Sequence, residues 1–135
     1  PEQLLSGLGM APVEVLAADD YLAVFEAEQD ILALTPDYKK LALLDLRGVI
    51  VTAPGENADF VSRFFAPKFG IDEDPVTGSA HCTLTPFWWQ KTGRKILHAR
   101  QVSSRGGELI CEYKNDRVFI AGTAILYMEG SVKNY

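Results

Sequence analysis

Cysteine and histidine are scarce: Cys82, Cys111, His81 and His98 are the whole supply in 135 residues. Their placement offers no metal-ligand spacing, so no zinc or other metal site is expected, and the two lone thiols are expected reduced and buried. Basic charge is short as well, with 13 Lys and Arg against 18 Asp and Glu and a net charge of −5. Lys39, Lys40, Arg94, Lys95 and Arg100 never gather with interleaved aromatics, which excludes a nucleic-acid surface. No apolar run approaches the ~18 residues of a membrane span, and no basic stretch leads into an apolar core near the N-terminus. The expectation is a cytoplasmic protein with no membrane partner. Repeats and low-complexity tracts are lacking too. The chain starts at Pro1 with no initiator Met, as a processed, truncated or engineered piece would.

What is present reads as an ordinary globular chain, 47% hydrophobic and 23% charged. That balance and length suit a single domain over 1–135 with a real core. Strand and turn signals alternate, and the class is α+β. Val13–Leu16 and Tyr21–Phe25 flank an acidic turn and predict a hairpin. Asp30–Leu34 predicts a short helical turn, and Pro36 sits where the first residue of another helix would, running through Lys40, Leu41 and Leu44. Gly48–Ala53 is a β-branched run ended by Pro54-Gly55, the pattern of a fully buried strand. Asp59–Ala66 predicts the next strand. Further strands are expected over Ile96–Val102, Glu108–Tyr113, Arg117–Ala121 and Ala124–Met128, with turns at Arg105-Gly106-Gly107 and Lys114-Asn115-Asp116.

Between them, a long helix is predicted from about Ser79 to Thr92. Gly93 would end it in a left-handed conformation, and Arg94 and Lys95 follow its negative end. Ala80, Leu84, Phe87 and Trp88 share one face, so the helix is expected at the centre of a curved, mostly antiparallel sheet. Pro86 predicts a kink or a break within it. Of the adjacent Trp88 and Trp89, one is expected in the core and the other toward an interface.

Packing alone explains least the run Gly70-Ile71-Asp72-Glu73-Asp74-Pro75-Val76-Thr77-Gly78-Ser79-Ala80-His81-Cys82. Pro75 drives Asp74 toward extended backbone, Gly78 permits close approach of a ligand, and Thr77 or Ser79 can cap the helix that follows. Unpaired N–H groups of the first turn would attract a carboxylate or phosphate, with Asp74 beside it to take or give a proton. The same residues also fit a capped helix after a solvated acidic turn. Three nearby residues have two readings each. Arg63 could grip a substrate carboxylate in bidentate fashion or pair with a neighbouring acid. His81 could assist proton transfer or hydrogen-bond within the first turn. Cys82 could be an activated thiol or, as expected here, a small core residue.

Together with Ser62-Arg63-Phe64-Phe65-Ala66-Pro67, Ser104-Arg105-Gly106-Gly107-Glu108-Leu109 and Asp116-Arg117-Val118, this run resembles the second half of the phenazine biosynthesis PhzF-like family, which shares the diaminopimelate epimerase-like fold. The resemblance implies two similar lobes, each a helix cradled by a curved sheet, with substrate held between two helix N-termini. It implies a cofactor-independent isomerase or epimerase that moves a proton on a small anionic metabolite. Asp74 would be the second-lobe acid, and Thr77, Gly78, Ser79 and Ala80 the substrate cradle. The family's principal proton-shuttling Glu belongs to a first lobe with no counterpart here, so the chain alone is expected to be inactive. Its expected partner is a missing N-terminal lobe or a second copy in a homodimer, since an uncovered interlobe wall favours association. The competing reading is a noncatalytic small-molecule or protein-interaction domain that retains the fold.

Overall fold

Alternation of side chains along the central strands sorts the apolar residues into two layers, one on each face of an eight-stranded sheet, in a computed structural model that describes residues 1–134. The elements in chain order are α1 (Glu2–Leu8), β1 (Glu14–Ala17), β2 (Tyr21–Val24), α2 (Glu28–Ala33), α3 (Tyr38–Leu41), β3 (Val49–Pro54), β4 (Phe60–Ala66), a 3-10 turn (Pro67–Phe69), β5 (Ile71–Asp74), α4 (Gly78–Thr92), β6 (Ile96–Gln101), β7 (Gly107–Lys114) and β8 (Arg117–Ala121). The strand order is β1-β2-β3-β4-β6-β7-β8, with β5 beside β4. Pairing is antiparallel except at β2–β3 and β4–β6.

Tyr21, Ala23, Val49, Val51, Val61 and Phe65 point to one face, where Leu4, Leu8, Ile31, Leu34, Leu41 and Leu44 from the first three helices and their loops cover them. Leu22, Ile50, Phe60, Phe64, Leu97, Ala99 and Leu109 point to the other face, against Ala80, Leu84 and Trp88 of α4. Strands covered on both sides need no polar face, which is why β3 is buried from Val49 to Ala53 and apolar at every position there but one. Thr52, the polar residue in that run, is satisfied: its hydroxyl donates to the Val61 carbonyl at 2.7 Å and accepts from Trp88 Nε1 at 3.0 Å. The Trp88 ring stacks on Phe60 with centroids 5.7 Å apart.

α4 ends at Gly93, whose φ of 73° only glycine adopts without steric cost. Across Pro86 the helix runs unbroken, so the expected break does not occur. Cys82 is exposed rather than core, because the inward face is taken by Ala80, His81, Leu84, Thr85 and Trp88. Trp89 lies against Tyr113 at 4.6 Å between ring centroids. Pro36 does not open α3. Asp37 caps it instead, its Oδ1 accepting from the N–H groups of Lys39 and Lys40 at 3.1 and 3.2 Å. The acidic stretch read as a turn is in part the short strand β5, held at the β4 edge by pairing of Asp74 with Phe64 and Ile71 with Ala66. Ala124–Met128 forms no strand, since among the described residues nothing pairs with it. No helix of the described residues is long and apolar enough to cross a membrane.

His81 is fully buried in the α4 layer beside the Phe60 ring, 5.9 Å away. Its Nδ1 lies 2.8 Å from the Thr77 carbonyl, so that nitrogen carries the proton and donates, leaving Nε2 without a partner. Burial holds the imidazole below its ordinary pKa of 6.5, against a smaller opposing pull from the Thr77 carbonyl. The unfolded chain therefore takes up the proton first. The stabilising contribution is complete above the ordinary pKa and drains away as pH falls from there toward the folded value, by at most about 1.4 kcal/mol per pH unit. Urea unfolding of the wild type and His81→Gln across this range should show a steeper acid loss in the wild type. Equal slopes would contradict a buried neutral imidazole.

Candidate active site

Two strands share one edge of β4. β6 runs parallel to its first half, pairing Phe60 with Ala99 and Ser62 with Gln101, and β5 runs antiparallel to its second half. The C-terminal ends of β5 and β6 therefore meet side by side, at Asp74 and Gln101. Strand pairing stops there, and side chains must satisfy the backbone that the ladder no longer reaches.

Gln101 does this almost alone. Only 1% exposed, its amide accepts from the Thr77 N–H through Oε1 at 2.8 Å and donates through Nε2 to the Asp74 carbonyl at 2.8 Å and to Thr77 Oγ1 at 3.0 Å. Thr77 Oγ1 in turn donates to Asp74 Oδ2 at 2.5 Å, a short charge-assisted bond that orients the carboxylate. Thr77 occupies the N-cap position of α4, yet its hydroxyl faces Asp74 and does not cap the helix. The hairpin between β6 and β7 clamps the same segment from behind. Ser103 Oγ donates to the Pro75 carbonyl at 2.8 Å and accepts from the Gly106 N–H at 3.0 Å. A Cβ at Gly107 would stand 2.3 Å from Val76 Cγ2, so only glycine lets the hairpin close over Val76.

With the loop fixed in this way, α4 opens on the exposed Gly78 and Ser79, while the Ala80 and His81 side chains turn into the core. Helix geometry leaves four N–H groups at this end without intrahelical acceptors. Gln101 takes that of Thr77, and among the described residues no side chain or loop takes those of Gly78, Ser79 and Ala80. Gly78 and Ser79 are exposed, and a Cβ at Gly78 would meet nothing within 4 Å. The arrangement can hold an anion on backbone N–H groups at the positive end of a 15-residue helix.

Residues legible in sequence thus divide. Asp74, Thr77, Gly78, Ser79 and Ala80 come together. Arg63 does not join them: it lies on the opposite face of the sheet, gripping Glu73 at 2.7 and 3.0 Å and donating to the Ile31 and Leu34 carbonyls. It ties β5 and α2 to β4. His81 is committed to the Thr77 carbonyl inside the core and does not reach the surface of the cradle. Glu73 and Asp72 separate too, the first paired with Arg63 and the second exposed.

Two participants carried no local signal. Gln101 is one, 24 residues from Thr77. Arg47, in the loop before β3, is the other. It pairs with the buried Asp20 through Nε at 3.0 Å and Nη2 at 2.5 Å, and the same Nη2 stands 3.4 Å from Ser79 Oγ. Asp20, with a side chain only 3% exposed, steers this half-exposed guanidinium to the edge of the cradle. Among the described residues no cluster of His, Cys, Asp or Glu could hold a metal ion.

The family described as "Phenazine biosynthesis-like protein" matches this sequence over residues 6–130. A Pseudomonas aeruginosa protein named an uncharacterized isomerase is 52% identical over 132 residues, which is 97% of this chain and 51% of that protein. A crystal structure of a PhzF-family protein from Enterococcus faecalis superposes with a TM-score of 0.91 at 46% identity, over 95% of this chain and 50% of the other. A putative PhzC/PhzF protein from Clostridium difficile gives 0.88 at 41% identity, over 98% and 52%. The chain spans about half the length of the curated relatives it matches.

Gln101→Leu should unlatch the cradle, stranding the Thr77 N–H and the Asp74 carbonyl. A loss of about 1–3 kcal/mol is expected for each buried group left unsatisfied. Gln101→Glu, which keeps the acceptor for Thr77 but sets a buried carboxylate oxygen against the Asp74 carbonyl, should be destabilised as well. Urea unfolding with amide exchange at Thr77 reads both, and a Leu variant as stable and as protected as wild type would contradict the role.

Proposed function

We propose that this chain, which belongs to the phenazine biosynthesis-like (PhzC-PhzF) family, is the C-terminal lobe of a cofactor-independent isomerase that moves a proton on a small carboxylate metabolite. Relatives named isomerases and a shared fold support the reaction class. The observation that carries the reading is the position of the Asp74 carboxylate, held by Thr77 Oγ1 one residue before the unpartnered N–H groups of Gly78, Ser79 and Ala80. A substrate carboxylate would settle on those groups, where the helix end favours negative charge.

Asp74 then acts as the acid or base on a neighbouring carbon. Its Oδ2 is engaged by Thr77, and its other oxygen has no hydrogen-bond partner among the described residues, so it is available for the proton. In the two-lobed arrangement that the resemblance implies, a second acid or base faces the substrate from across the cleft. In this reading that group belongs to the other lobe, and the isolated chain is inactive. Arg47, beside Ser79, adds positive charge at the cradle's rim and favours an anionic substrate.

The test uses a full-length protein made of both halves, incubated in D2O with a panel of small carboxylates, with carbon-bound deuterium read by mass spectrometry. Asp74→Asn should slow incorporation by about 10²–10⁴-fold while leaving the fold intact. Undiminished exchange by that variant would remove Asp74 from the chemistry. No exchange by the wild-type protein across the panel would favour a noncatalytic binding domain.

A further inference from the structure

The loop ahead of β3 is tied down along its length. The Tyr21 hydroxyl donates to Asp45 Oδ1 at 2.7 Å, Lys68 Nζ donates to the Leu44 and Asp45 carbonyls at 3.2 and 3.1 Å, and the Arg47 N–H donates to the Asp19 carbonyl at 3.3 Å. Arg47 therefore leaves a fixed backbone. Its side chain is fixed as well, because Nε and Nη2 meet the two oxygens of Asp20 as a bidentate pair on a carboxylate nearly sealed from water.

Replacing a buried ion pair by well-packed apolar residues is often neutral or stabilising, so holding a turn does not by itself call for Asp20. What this carboxylate does, and an apolar side chain could not, is aim a guanidinium. Asp20 fills the side fork of the group, made by Nε and one N–H of Nη2. The end fork, made by Nη1 and the other N–H of Nη2, lies toward Ser79 and is nearly open. Nη2 stands 3.4 Å from Ser79 Oγ, close to the limit of a hydrogen bond, and Nη1 has no partner among the described residues. The donors left over are thus on the side of the cradle, on a side chain that is 45% exposed.

We infer that Arg47 is a specificity-determining residue, which selects substrates with a second carboxylate by taking that group on its open end fork while the first sits on the N–H groups of Gly78, Ser79 and Ala80. The inference rests on the reading of that helix end as the seat of a substrate carboxylate, and on no chemistry at Asp74. Ser79 lies between the two seats, so a short carbon spacer joins them, as in succinate. Pairing with Asp20 leaves little net charge, and the selection comes from two aligned donors rather than from long-range attraction. Preorganisation adds to it, since a guanidinium already held in place loses little freedom on binding.

Amide NMR of the 135-residue chain, titrated with succinate and with its monomethyl ester, reads the preference directly. Both ligands should shift Gly78, Ser79 and Ala80, with succinate binding at least about tenfold tighter. Asp20→Asn combined with Arg47→Met removes both charges at constant net charge and should bring the two affinities together. Arg47→Lys keeps a cation against Asp20 without the fork, which preserves the fold should the double variant fail to form, and it should lose most of the preference too. Equal wild-type affinities for the two ligands, with all three amides shifting, overturn the role of Arg47 and leave the cradle standing. A preference that survives in the variants overturns it as well. Amides that move with neither ligand overturn the cradle, and the selectivity with it.

Discussion

Three hydrogen bonds from one buried amide hold the candidate site in place. Where β5 and β6 run out against the same edge of β4, Gln101 replaces the missing ladder, fixing the Asp74 carbonyl, the Thr77 N–H and the Thr77 hydroxyl. Glutamine suits this because one end accepts and the other donates, at a separation that spans the join. Without it, the Asp74 carboxylate would be tied to the start of α4 only by its own bond to Thr77 Oγ1 and by the hairpin's hold on Pro75 and Val76. The site's geometry is therefore a consequence of sheet topology: a strand order in which two strands share an edge creates the gap, and a side chain spans it.

The rest of the molecule keeps that join stiff. The opposite face of the sheet is anchored by Arg63, which links β4 to Glu73 of β5 and to two carbonyls around the end of α2. The near face is anchored by Trp88, packed on Phe60 and hydrogen-bonded to Thr52. Gly107 admits Val76 beneath the hairpin that carries Ser103. Charged and polar groups around the site thus fall into two kinds. Arg63, Gln101, Ser103 and His81 face inward and position the backbone, while Asp74, Ser79 and Arg47 stand where a ligand can meet them.

Much of this was legible in the residues. The β3 run announced itself because both of its faces are buried, α4 because Gly93 ends a helical stripe, and the juxtaposition of Asp74 with the head of α4 because Asp-Pro-Val-Thr-Gly-Ser sets a carboxylate just before a helix start, a pattern that a capped helix after an acidic turn fits as well. The failures have physical causes. β5 hid because Asp72, Glu73 and Asp74 are poor strand formers, and their pairing depends on β4 and on Arg63 across the sheet. Arg63 had two chemically sound destinies, and only the fold chooses between them. Gln101 and Arg47 act through contacts distant in sequence, which no periodicity encodes. Ala124–Met128 has the pattern of a strand, and among the described residues no strand pairs with it.

Anion binding at this site depends on three backbone N–H groups at the head of α4 being free and preorganised. Amide NMR spectra of the chain titrated with benzoate, and with benzyl alcohol as the uncharged control, test that most directly. Saturable shifts at Gly78, Ser79 and Ala80 with the carboxylate alone, and little movement at Thr77 because Gln101 already holds it, are predicted. Shifts that leave those three amides unmoved, or that are the same for the alcohol, would contradict it.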